Sequence, residues 1–170
     1  MSTHIPQSPI LLRAYCDGDW SAVCSIHDRA RPYELDGCDP QTFLPLADDP
    51  EDIENFERAE KFVACIGERV VGFIGVDETL LSWLYVDPNY FGKGIGRELL
   101  QLGLELTGPA AWTVVTAGNI RARQLYASEG FHVVHTFEGA MAGYPCTCLE
   151  LAWIPCQLRA AGLHTRLTAA

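Results

Sequence analysis

The chain of 170 residues, 48% hydrophobic and 20% charged, has the balance of one soluble globular domain whose core needs neither disulfide nor metal. A formal net charge of −10, with acid gathered at 36–40 and 48–60, argues against nucleic-acid binding, which rests on Lys and Arg, and would attract a cationic substrate. No apolar run nears the roughly 20 residues of a membrane span. No basic segment leads into a long apolar one near the start, so a cytoplasmic protein without a membrane partner is expected.

In chain order, a first strand is expected over Ile10 to Cys16. A helix then opens at Asp17 or Asp19, with Trp20, Val23, Cys24 and Ile26 near helical spacing. A Pro- and acid-rich loop covers 32–50, and a short acidic helix about 50–60. Two β-rich runs, "KFVACIG" and "RVVGFIGV", are parted by the hairpin signal Gly67-Glu68. A further strand covers about 79–87. After it, "YFGKGIGREL" (90–99) opens a helix carrying Ile95, Leu99, Leu102 and Leu106 as a stripe. A strand over 111–116, a helix over 119–129, a strand over 131–137 and a last strand over 146–154 complete the core. The tail 155–170 is weakly patterned, a candidate mobile segment. The pattern is α/β or α+β, antiparallel in its first half and βαβ in its second.

Seven cysteines (16, 24, 38, 65, 146, 148, 156) form no CxxC pair and read as small buried hydrophobes kept reduced. His27, His132 and His135 read as surface or packing residues, and no metal site is expected.

Three glycines at 92, 94 and 96 stand between a strand and a helix, where N–H groups are unpaired and the helix dipole is positive. Glycine allows an anion to reach that backbone, so 91–97 is a candidate phosphate cradle with Lys93 and Arg97 adding charge. The P-loop string is absent. The dinucleotide pattern fails because Arg97-Glu98-Leu99 follows Gly94-Ile95-Gly96, which counts against a nicotinamide-dependent oxidoreductase. Further on, "NIRARQLYASEGF" (119–131) offers Asn119 as N-cap, with Ala122 and Tyr126 on one helix face and Gly130 as the stop.

Together, "LYVDPNYFGKGIGRELL" and "NIRARQLYASEGF" resemble the acetyl-CoA-binding core of the Gcn5-related N-acetyltransferase (GNAT) superfamily. The first matches its R/Q-x-x-G-x-G/A loop, with Phe91 where the family usually has Gln or Arg. The second matches its N-x-x-A-x-x-x-Y-x-x-x-G-F helix. The resemblance implies a central mixed sheet of six to seven strands with four flanking helices, splayed between strands four and five. It covers a single domain with its core at about 10–154. It also implies a cofactor site at Leu84, Tyr85, Val86, Phe91, Gly92, Lys93, Gly94, Ile95, Gly96, Arg97, Asn119, Ala122, Arg123 and Tyr126. With Phe91 unable to supply a polar contact, the backbone must hold more of the pyrophosphate.

The activity implied is direct transfer of acetyl from acetyl-CoA to a primary amine, small-molecule or peptide, with Tyr126 as general acid. The family often carries its base in the middle of the fourth strand. Here the row Glu78, Leu80, Ser82, Leu84, Val86 offers only Glu78 as candidate. The acceptor site would form at about 33–48 and 138–147, with Tyr33, Glu34 and Ser82 as substrate contacts. Glu34, Asp36 and Asp39 would favour a cationic amine, and "EGAMAGYPC" (138–146) reads as a mobile turn. A homodimer stays open. The alternative reading is a domain that senses acyl-CoA without catalysis.

Overall fold

A computed structural model describes residues 9–154; the tail at 155–170 and its Cys156 lie outside the described residues. Strand β1 (Ile10–Ala14) is followed by α1 (Trp20–Glu34), α2 (Pro50–Arg58), β2 (Glu60–Ile66), β3 (Arg69–Asp77) and β4 (Leu80–Val86). Then come α3 (Ile95–Thr107), β5 (Trp112–Thr116), α4 (Ile120–Ser128), β6 (Phe131–Met141) and β7 (Tyr144–Trp153). The seven strands form one mixed sheet in the order β1-β2-β3-β4-β5-β7-β6. Among the described residues, only the β4–β5 pair is parallel. No helix among the described residues is long and apolar enough to cross a membrane.

Two cores cover the two faces. Ile74, Leu81, Ile95, Leu99, Leu100 and Tyr126 belong to one, between the sheet and α3 and α4. Val23, Ile26, Phe56, Phe73 and Trp83 belong to the other, under α1 and α2. Helix α1 passes Pro32 and ends at Glu34, where a loop is expected from residue 32. Proline there removes one backbone donor near the helix end, and burial of Val23, Ile26 and Ala30 keeps the helix docked. Helix α2 starts where Asp49 accepts the N–H groups of Glu51 and Asp52, with Pro50 in the first position.

The buried stripe of α3 is rotated from the expected one: Leu106 is exposed, and Leu100 and Gly103 lie in the core with Ile95 and Leu99. Gly103 sets this rotation, since a Cβ there would stand 2.6 Å from Ile74 Cδ1 and 2.8 Å from Leu81 Cδ2. The segment expected as a mobile turn at 138–146 is instead the end of the β6–β7 hairpin. Its strands pair out to Met141 and Tyr144, closed by Ala142 and Gly143, both at positive φ.

In β4 the expected alternation fails. Val76 faces Leu81 while Gly75 faces Trp83, so Ser82 is an extra residue, a β-bulge. Leu81, Leu84 and Val86 therefore pack on the α3 side, and Trp83 and Tyr85 on the α1 side. The single row through Glu78, Leu80, Ser82, Leu84 and Val86 does not exist.

Beyond β5, Gly118 meets the loop after α1: a Cβ there would overlap the Asp36 carbonyl oxygen. Gly118→Ala is therefore expected to cost about 1–3 kcal/mol, as overpacking against backbone does. Urea unfolding checks this through a lower midpoint at unchanged slope.

Candidate active site

Strands β4 and β5 pair at a single position, Leu80 with Trp112, and Thr113 Oγ1 donates to the Leu81 carbonyl at 2.8 Å just beyond it. From there the strands part. The inner edges of Leu84–Val86 and Thr113–Val115 line a cavity of about 380 Å³. Backbone N–H and C=O groups on edges that no strand covers need other partners, so the cleft can accept a chain bearing amides.

Just after β4, Asp87 is buried, caps the following turn by accepting Asn89 N–H at 3.0 Å, and is paired with Arg29 at 3.1 Å. The glycines that follow have different duties. Gly92 and Gly94 sit at φ of 76° and 86° with nothing within 4 Å of an added Cβ, so backbone conformation selects glycine there and the space above stays open. Gly96 instead allows close packing of α3 on α4, its Cβ position lying 3.2 Å from Leu125 Cδ2. The first intrahelical bonds of α3 run from Arg97 and Glu98 to the Gly94 carbonyl. The earlier N–H groups of Ile95 and Gly96 thus stand at the positive helix end, facing the cavity both residues line.

The expected charges are distributed differently. Arg97 lines the cavity, but its Nε donates to Glu129 Oε1 at 2.7 Å. Lys93 lies over the Tyr90 ring at 4.7 Å and does not line the cavity. Arg123 donates to the Ala117 carbonyl at 2.8 Å and borders a separate depression beside α4. The sequence reading missed Arg121, whose guanidinium sits 4.2 Å from the Phe91 ring centre and which lines the cavity. The "Phe91" departure was the available signal: an aromatic face in place of a cation invites a cation from elsewhere.

Asn119 Oδ1 accepts the Ala122 N–H at 3.1 Å, capping α4 as expected. Ala122 and Tyr126 follow along the cavity wall. Tyr126 is 4% exposed, packs edge-on against Phe131 and lies within hydrogen-bonding reach of Thr113. Burial, opposed by Thr113 and reinforced by the Glu34 charge, pushes its phenol up to about 12.

On the α1 side, Tyr33, Glu34 and Ser82 all line the cavity. Tyr33 meets Phe91 edge-on at 5.4 Å, and Ser82 Oγ donates to the Gly75 carbonyl at 3.2 Å. The Tyr85 ring packs with the α1-side core, where its hydroxyl donates to Glu34 in a short bond and accepts from Arg31 at 2.9 Å. Glu78 is not brought to the cavity: it is exposed in the β3–β4 turn at φ 54°. Asp36 and Asp39 do not line it either. His27 is fully buried against Tyr85 and bonds Asp28 at 2.9 Å, a packing role.

The expectation of reduced cysteines fails for one pair. Cys38, after α1, and Cys146, in β7, are joined by a disulfide with Cα atoms 5.9 Å apart. Cys65 and Cys148 are buried thiols, Cys24 is half-buried and Cys16 exposed.

Comparison with known proteins places these features in a family. The acetyltransferase (GNAT) domain family matches residues 57–133. An uncharacterised N-acetyltransferase of Escherichia coli, YafP, is 32% identical over 128 residues, 74% of this chain and 83% of that protein. The fold matches a GCN5-related N-acetyltransferase from Rhodopseudomonas palustris with a TM-score of 0.76, at 17% identity over 89% of this chain and 99% of that one. It also matches yncA of Salmonella typhimurium, a putative acetyltransferase solved with its cofactor acetyl-CoA, with a TM-score of 0.65 and 17% identity over 85% and 92% of the two chains. With the parted β4 and β5, the glycine turn opening α3 and the buried tyrosine of α4, the chain belongs to the GNAT family of acetyltransferases.

Proposed function

We propose that the protein moves acetyl from acetyl-CoA to a primary amine, small-molecule or peptide, by direct attack of the amine within the β4–β5 cleft. The observation that carries this reading is one cavity that joins the open N-terminus of α3, the uncovered edges of β4 and β5, and the buried Tyr126. The N–H groups at Ile95 and Gly96 would receive the pyrophosphate, Arg121 supplying the cation that Phe91 lacks. The strand edges at 84–86 would hold the amide-bearing arm, and the Asn119 side chain would orient it.

In the transfer, the amine, having lost one proton to water, bonds through nitrogen to the acetyl carbon, the C–S bond breaks with its electron pair on sulfur, and the amide nitrogen releases its extra proton to water. Tyr126 keeps its proton throughout the neutral range and so can donate to the departing thiolate. The bare sensing alternative gives no reason for a buried phenol at the vertex of the cleft. The exposed Glu78 could serve as base only through water from outside the cavity.

Tyr126→Phe is expected to lower kcat by about 10²- to 10⁴-fold, the usual worth of general acid catalysis, while acetyl-CoA affinity changes only a few-fold. Steady-state kinetics and calorimetric titration separate the two. The raised phenol pKa has a stability signature as well. The folded chain holds this proton more tightly than the unfolded one, so Tyr126 contributes stability that is present below about 10 and lost as pH rises towards about 12. In Tyr126→Phe that part of the alkaline decline is absent, as thermal midpoints across the range will read.

Arg121→Ala is expected to weaken acetyl-CoA binding by about 10- to 100-fold, the range for losing one charge-assisted bond, with less effect on a truncated acetyl-pantetheine lacking the pyrophosphate. Equal weakening of both ligands would remove Arg121 from the phosphate site.

A further inference from the structure

Glu34 is placed where general physics disfavours it. It is the last residue of α1, so its carboxylate stands at the negative end of the helix dipole. It is also drawn inward, its side chain only 18% exposed, on the wall of the same cavity that Tyr126 lines. What holds it there is specific. Arg31, one turn earlier and 12% exposed, donates to Oε2 at 3.1 Å, and the Tyr85 hydroxyl donates to the same oxygen. The main chain is pinned too, since the Glu34 carbonyl accepts Thr116 Oγ1 from β5. Glu34 Oε1 takes no hydrogen bond among the described residues. Oε1 is not among the buried atoms left without a partner, so on the wall of this cavity it is open to water or to a ligand, while Oε2 is held by two donors from the protein.

Resting on the acetyltransferase reading, we infer that Glu34 Oε1 is the receptor for the acceptor's ammonium group, with Arg31 and Tyr85 as positioning residues, so that the substrate class is alkyl primary amines that arrive as cations. An alkylammonium with a lysine-like pKa near about 10.4 is charged at neutral pH and brings three donors to that oxygen. Glu34 and Tyr126 line the same cavity, so a nitrogen docked at Glu34 shares that space with the proposed proton donor. The cavity beside Glu34 is apolar at Ala30, Leu81 and Val114, suited to a hydrocarbon stem and to nothing anionic. Asp36 and Asp39, equally acidic in sequence, take no part in this wall.

The test compares two acceptors of similar size, a linear alkylamine charged at neutral pH and an arylamine that is not, with wild type, Glu34→Gln, Glu34→Asp and Tyr85→Phe. Glu34→Gln is expected to reduce kcat/KM for the alkylamine by about 10- to 100-fold, mostly through KM, as for loss of a hydrogen bond to a charged group. The arylamine should change less than about three-fold. Glu34→Asp should recover part of the loss, and Tyr85→Phe should raise the alkylamine KM several-fold by freeing the carboxylate. Calorimetric titration of the alkylamine into CoA-saturated protein reads docking without turnover, and the same order of affinities is expected there. Equal losses on both amines, or alkylamine affinity unchanged in Glu34→Gln, would overturn the inference. Failure of the acetyltransferase reading looks different: wild type would release no CoA with either amine, while the binding titration would still decide the role of Glu34.

Discussion

The parting of β4 from β5 is the constraint on which the rest of the molecule depends. Two parallel strands in one sheet would ordinarily satisfy each other's backbone along their length, yet here pairing is confined to Leu80 and Trp112. The bulge at Ser82 is part of the cause: an extra residue bends and twists β4 just where the pairing stops. The Thr113 hydroxyl closes the vertex by taking up the Leu81 carbonyl, which keeps the opening from closing or widening at its base. The residues proposed to bind and react line the cavity between the two edges, with α3 and α4 supplying one lip and the end of α1 the other.

The α1 lip is fastened separately from the cofactor lip. Glu34 accepts from Thr116 through its carbonyl, the Asp36 carbonyl lies hard against Gly118, and Cys38 is joined to Cys146 in β7. Three successive attachments within five residues tie the end of α1 to the β5–β7 half of the sheet, across the cleft from β4. On the β4 side, Arg31 and Tyr85 make the complementary connection. Arg31 shows the balance of forces. Burial works to lower its pKa, but Tyr85, Glu34 and, at 3.9 Å, Asp52 outweigh that and raise it, so the guanidinium stays charged where water is scarce. Asp52 in turn is raised by burial and eased by Arg31.

What the sequence disclosed follows from which features are local. The glycine turn and the Asn119-to-Tyr126 helix are each set by spacing within a dozen residues, and both formed as read, with Asn119 capping α4 and Gly94 in a left-handed conformation at the start of α3. The succession of strands along the chain was equally readable from alternation and turn residues, although the β6–β7 hairpin runs on through the segment expected as a turn. What escaped depends on residues far apart. The bulge at Ser82 sits beside Gly75, where Trp83 Cδ1 stands 2.7 Å from the place of a Cβ, and no pattern within β4 announces it. With it went the parity argument for Glu78. The partnership of Cys38 and Cys146 spans 108 residues and cannot be deduced from cysteine positions. The site of Arg121 required knowing that Phe91 and the first turn of α4 face each other.

Glu34 and Tyr126 together give the cleft an internal logic. The carboxylate raises the cost of ionising the phenol, adding to the effect of burial, so the acid stays protonated while the site carries a fixed negative charge. A cation docking at Glu34 would relieve part of that repulsion, making the phenol a somewhat stronger donor only when an acceptor is in place. The ammonium would pass one proton to water before attack, and its nitrogen, cationic again in the tetrahedral intermediate, would renew that relief as the C–S bond begins to break. The Tyr126 proton would then pass to sulfur, the phenol being 4% exposed and turned to the same cavity that the β4 and β5 edges line.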